Sequence, residues 1–77
     1  MALTRNRYKM PDYVRAALSE YGLLDAYLAR PDYQQNDYIG WILRAKREST
    51  QEKRLRQMLD ELARGNEYMK MKWRPKR

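Results

Sequence analysis

Apolar side chains recur along this chain at intervals of three and four, the spacing that gathers them on one face of an α-helix. In PDYVRAALSEYG, Val14, Ala17, Leu18 and Tyr21 fall at i, i+3, i+4 and i+7, which predicts a helix over 11–21. Pro11 suits its first turn, and Asp12 complements the positive end of the helix dipole. Gly22 stands where a left-handed terminating residue is wanted. LLDAYLAR follows, with Leu24, Tyr27 and Leu28 on one face of a short helix that Pro31 stops. So short a helix is marginal until packed.

The same pattern returns in Tyr38, Trp41, Ile42 and Ala45. Asp32 with Gln35 reads as the capping box that opens this helix. Gly40 in its interior costs about 1 kcal/mol relative to alanine, so a neighbouring helix or ring is expected to approach closely there. Ser49 with Glu52 reads as a second capping box, and Leu55, Met58, Leu59 and Leu62 form the stripe of the helix it starts. Gly65 followed by Asn66 ends that helix, so the chain turns a corner near Glu48. In NEYMKMKWRPKR, Met69, Met71 and Trp73 alternate with Lys70 and Lys72, a period of two with no second strand to pair with. An extended segment is expected, with two of Met58, Met69 and Met71 packed against Trp73.

These elements predict an all-α fold: a small bundle of three main helices plus one short helix, with extended basic N- and C-terminal segments. The divisions are a flexible basic arm over 1–9, a helical domain over 10–66, and a basic, aromatic tail over 67–77. The expected core is Val14, Leu18, Leu24, Leu28, Tyr38, Trp41, Ile42, Leu55, Leu59 and Leu62, with Trp41 the costliest residue to truncate.

Composition narrows the chemistry. At 77 residues the chain forms one domain, burying only about 60 to 65 % of its unfolded surface. Seven tyrosines and two tryptophans against no phenylalanine suit so thin a core, because these rings reach the surface with a polar tip. Cysteine and histidine are both absent, which removes disulfides, thiolate chemistry, the usual zinc ligands and the usual neutral-pH base. Ser49 has no base within sequence reach, and Asp60 and Glu61 point about 100° apart on a helix, so they make no dyad. No catalytic residue, metal, cofactor or small-molecule substrate is therefore expected. No apolar run resembles an export signal or a bilayer span, so a cytoplasmic location is expected. A monomer or weak homodimer suits the size.

The net charge of +7 is unevenly placed. Successive segments 1–9, 10–43, 44–56, 57–69 and 70–77 carry +3, −3, +4, −2 and +5. Arg44, Lys46, Arg47, Lys53, Arg54 and Arg56 are one candidate contact zone for an acidic or phosphate-bearing partner. Lys70, Lys72 and Arg74 are a second, where Tyr68 and Trp73 offer stacking. The same pattern also fits last-turn cations at a helix C-terminus and a solvated helix face, with Glu48 and Glu52 placed to pair with Arg44 and Arg56. The partner is thus an unknown protein, bound through helices or tail and through tyrosines such as Tyr8, Tyr13 and Tyr33, or nucleic acid bound nonspecifically.

One stretch carries a likeness. YQQNDYIGWILRAKRESTQEKRLRQMLDELARG presents Tyr38, Trp41 and Ile42, then Ala45 and Lys46, then Thr50 and Arg54, then Leu59 to Leu62 before Gly65. In that order these resemble the helical domain of the YdeI/OmpD-associated, or bacteriocin-protection, family. The preceding PDYVRAALSEYGLLDAYLARP looks like the leading part of short, stand-alone members. The resemblance implies a bacterial or archaeal helical protein with a link to stress or antimicrobial-peptide resistance, and it supplies no catalytic residues.

Overall fold

A computed structural model describes residues 7–74. The order is α1 (Asp12–Glu20), α2 (Leu24–Leu28), α3 (Asp32–Leu43), α4 (Glu48–Arg64), β1 (Glu67–Tyr68) and β2 (Met71–Lys72). The fold is the expected mostly helical one, three main helices and a short one. The first six residues of the arm and the last three of the tail lie outside the described residues.

Both terminating glycines act as expected. Gly22 has φ +66 and Gly65 φ +80, conformations in which L side chains are strained. The helix starts differ from expectation. Pro11 and Pro31 occupy the N-cap positions of α1 and α3, Arg47 that of α4, and no side chain caps any of these ends. The capping boxes Asp32–Gln35 and Ser49–Glu52 therefore do not form. Gln35 instead turns back and donates to the carbonyls of Leu28 at 3.2 Å and Arg30 at 2.8 Å. Gln51 donates to the Ala45 carbonyl at 3.0 Å. Each glutamine thus bonds carbonyls at or just past the preceding helix end.

The core comprises Val14, Leu18, Tyr27, Tyr38, Ile39, Ile42, Leu55, Met58 and Leu62. Leu24, Trp41 and Leu59 pack against it half-buried. Leu28, expected inside, is 57 % exposed, and Tyr27 takes the interior place. A five-residue helix has too few turns to fix its phase by spacing, and the Tyr27 hydroxyl settles it by donating to the Gln35 carbonyl at 3.1 Å. Gln34, Tyr38, Ile39, Gly40 and Ile42 are all buried, so α3 is enclosed on more than one face. Gly40 has the close neighbour its position requires. A Cβ there would lie 2.5 Å from Cε2 of Tyr8, whose own amide donates to Asn36 Oδ1 at 2.9 Å. Tyr8, read as part of a loose arm, is docked on α3.

The tail is the main departure. β1 and β2 pair antiparallel with Glu67 opposite Lys72 and Tyr68 opposite Met71, and the Trp73 amide extends the ladder to the Asn66 carbonyl at 3.0 Å. The strand partner thought missing is local. Met69 and Lys70 form the two-residue turn, both at positive φ, 51° and 64°, the geometry that matches hairpin twist. Met71 is exposed, while Met58 belongs to the core and Met69 packs against it.

Candidate interaction face

The sequence-predicted cations divide into three exposed groups and one residue, Arg54, that is partly buried. Arg44, Lys46 and Arg47 are exposed at the corner between α3 and α4. Lys53 and Arg56 are exposed on α4, and Lys70, Lys72 and Arg74 on the hairpin and just beyond it. Arg54 turns away from solvent. Its guanidinium lies 5.3 Å from the centre of the Trp41 ring and donates to the Trp41 carbonyl at 2.6 Å. That contact covers an indole which is only half-buried, so Arg54 serves the fold.

The aromatic stacking groups also make contacts within the fold, while Trp73 lines an open hollow with Lys72 and Arg74. Trp73 lies under the Arg30 guanidinium, 4.3 Å from ring centre. The Tyr68 ring meets those of Tyr33 and Tyr38 edge-on at 6.0 and 5.4 Å, and its hydroxyl donates to Asp37 at 2.7 Å.

Folding brings Lys53, Arg56 and Lys70 to a single groove of about 450 Å³ between α4 and the hairpin turn. Its acids are already engaged. Glu67 accepts from Arg64 at 2.8 Å, and Asp60 lies 3.9 Å from the same guanidinium. The Glu67 contact raises the Arg64 pKa further above its ordinary value. Glu61 is buried and saturated by hydrogen bonds. Among the described residues neither Arg44–Glu48 nor Glu52–Arg56 forms an ion pair, and the side-chain cations of Lys53, Arg56 and Lys70 pair with no acid.

On the other flank of α4 lies a second groove, of about 440 Å³, lined by Tyr21, Leu23, Leu59 and Ala63. Arg56 and Asp60 stand on the rims of both grooves. Tyr21 is 64 % exposed. Of the tyrosines singled out for partner contact, Tyr13 lines a separate hollow with Leu55, Tyr33 packs on Tyr68 and Tyr8 on Gly40. Tyr13 and Tyr33 nevertheless keep 45 % and 47 % of their surface exposed, so the groove beside Tyr21 adds to the expected tyrosine surface.

Beneath this face runs a buried polar network that sequence reasoning missed. Arg30, Gln34 and Glu61 are all buried. Arg30 donates to Gln34 Oε1 and to the Glu61 carbonyl, each at 3.1 Å. Gln34 donates in turn to the Tyr33 hydroxyl at 3.1 Å. The Tyr38 hydroxyl donates to the Glu61 carboxylate, and burial first, then that bond, pushes the Tyr38 pKa well above its ordinary value. Among the described residues every buried side-chain polar atom has a partner, as stability of such a network demands. Glu61 could have been flagged, since it lies three residues after Met58 on the apolar side of α4.

Among the described residues no group of three or more acidic side chains is placed to hold a metal ion, and no helix is long and apolar enough to cross a membrane. A family model described as Bacteriocin-protection, YdeI or OmpD-Associated matches residues 7–65. No curated protein and no solved structure matches the chain.

Proposed function

The chain belongs to the family described as Bacteriocin-protection, YdeI or OmpD-Associated, and from that premise we propose a non-catalytic protein-interaction module that receives an acidic, amphipathic segment of its partner on α4. The observation that carries this reading is the position of Arg56 between two unlike grooves. A segment with apolar groups on one side and carboxylates on the other would fill the Tyr21–Leu59–Ala63 groove while its acids meet Arg56, Lys53 and Lys70. Resistance to a cationic bacteriocin or peptide would then run through that partner. A protein of net charge +7 repels such a peptide and is a poor trap for it.

A second reading is nonspecific nucleic-acid binding through the cations of 44–56 and 70–77. The exposure of Arg44, Lys46, Arg47, Lys72 and Arg74 favours it. Arg30 occupies one face of Trp73, whose ring lines an open hollow with Lys72 and Arg74, so phosphate contacts, which salt weakens steeply, would carry most of this binding. Lysine-directed cross-linking in host cells separates the two. The first reading expects protein adducts mapped to Lys53 and Lys70 that survive nuclease treatment and disappear in Arg56→Glu. Adducts confined to Lys46 and Lys72 and abolished by nuclease would reject it.

A further inference from the structure

We propose that Glu61 is a positioning residue, a buried anion that latches the hairpin turn and so sets Lys70 at the rim of the cationic groove; the inference rests on that groove being the contact face. Met69 and Lys70 are consecutive residues at positive φ. That backbone shape aims successive N–H groups at one point and makes a nest for an anion. The nest is filled from within the molecule. Glu61 Oε1 accepts the Met69 N–H at 2.8 Å, and Oε2 accepts the Lys70 N–H at 2.7 Å.

The rest of the carboxylate's surroundings are donors too. The Tyr38 hydroxyl donates to Oε1, and Gln57 Nε2 donates to Oε2 at 3.2 Å. An ionised carboxylate accepts all four, whereas an amide would set its own N–H₂ against a backbone N–H that cannot reverse. Glu61 is 2 % exposed, so water does not compete for these bonds. Neither Met69 nor Lys70 favours positive φ unaided. Removing the anion therefore frees the turn to relax, and the Lys70 ammonium leaves the groove that it lines with Lys53 and Arg56.

The test is a double-mutant cycle on affinity for a fluorescent amphipathic peptide built from Glu and Leu, read below the melting temperature of every variant. Lys70→Ala and Glu61→Gln should each weaken binding by about fivefold, the scale of one partly exposed charge contact. Together they should weaken it no further than either alone. Multiplying effects would show that Glu61 acts without Lys70 and would overturn the proposal. Amide exchange on the unmodified protein gives an arm that needs neither the variants nor the peptide. The Met69 and Lys70 amides should be protected to the level of α4, and exchange at open-loop rates would refute the latch. If the peptide fails to bind the unmodified protein, the contact-face reading fails, while amide exchange still decides the latch.

Discussion

Replacing Gly40 by alanine sets two effects of known sign against each other. The gain is helix propensity, about 1 kcal/mol for alanine over glycine inside a helix. The loss is steric. The new methyl would lie 2.5, 2.9 and 3.0 Å from Cε2, Cδ2 and Cζ of Tyr8, where carbon atoms prefer about 3.5 to 4.0 Å. The ring cannot slide freely, because the Tyr8 amide is held by Asn36 Oδ1. It must swing off α3 and give up its contact. About half of a tyrosine's area of roughly 150 to 250 Å², at 25 cal/mol/Å², makes that loss about 2 to 3 kcal/mol. The loss wins, and Gly40→Ala should destabilise by about 1 to 2 kcal/mol in urea unfolding. In a Tyr8→Ala background the obstacle is gone and the same substitution should stabilise by about 1 kcal/mol. A stabilising Gly40→Ala in the parent, or equal effects in both backgrounds, would refute the packing of Tyr8 on Gly40.

Other predictions concern the core, the alkaline limit and the turn. Ile42→Ala should cost about 2 to 5 kcal/mol and Trp41→Ala less, because Ile42 is fully buried while the indole is half-buried beneath Arg54; comparison of urea midpoints decides the order. Burial pushes the Tyr27 phenol from 10.0 to about 12, so its stabilising contribution is intact below pH 10. It should then fall by about 1.4 kcal/mol per pH unit as the unfolded chain ionises first, until the native phenol ionises too. Tyr38, also raised, adds to this decline, and Tyr27→Phe should make the measured slope shallower. Met69→Asn with Lys70→Gly should raise stability by about 1 kcal/mol, since both positions are left-handed. The same pair should weaken partner binding by removing the Lys70 cation, and thermal melts with peptide titrations would show the two effects part.

The long helices were legible because their apolar positions keep a period near 3.6, and α1 and α4 also run into glycines that the backbone needs. Gly40 was legible for a related reason, since an interior glycine announces a close neighbour. That neighbour, Tyr8, comes from a segment with no periodicity to betray it. The phase of α2 was not legible, because five residues turn too little to separate Tyr27 from Leu28. The hairpin was hidden by its turn, Met-Lys in place of an Asn-Gly signal. What holds that turn is a contact from outside the hairpin, the Glu61 carboxylate on α4. Hydrophobic patterning assigns polar residues outward, so Arg30, Gln34 and Glu61 escaped notice. Of the basic residues proposed for contact, sequence could count the charges but could not show that Arg54 folds onto Trp41 or that Lys70 joins Lys53 and Arg56.

The most direct measurement is a pair of fluorescence anisotropy titrations at physiological ionic strength, one with the amphipathic Glu/Leu peptide and one with duplex DNA. Each is repeated with Arg56→Glu and with Tyr21→Ala, an exposed ring whose loss leaves the core intact. Peptide binding that both substitutions weaken, with DNA bound feebly and indifferent to Tyr21, is the predicted result. Tight DNA binding beside a peptide that ignores Tyr21 and Arg56 would contradict the account.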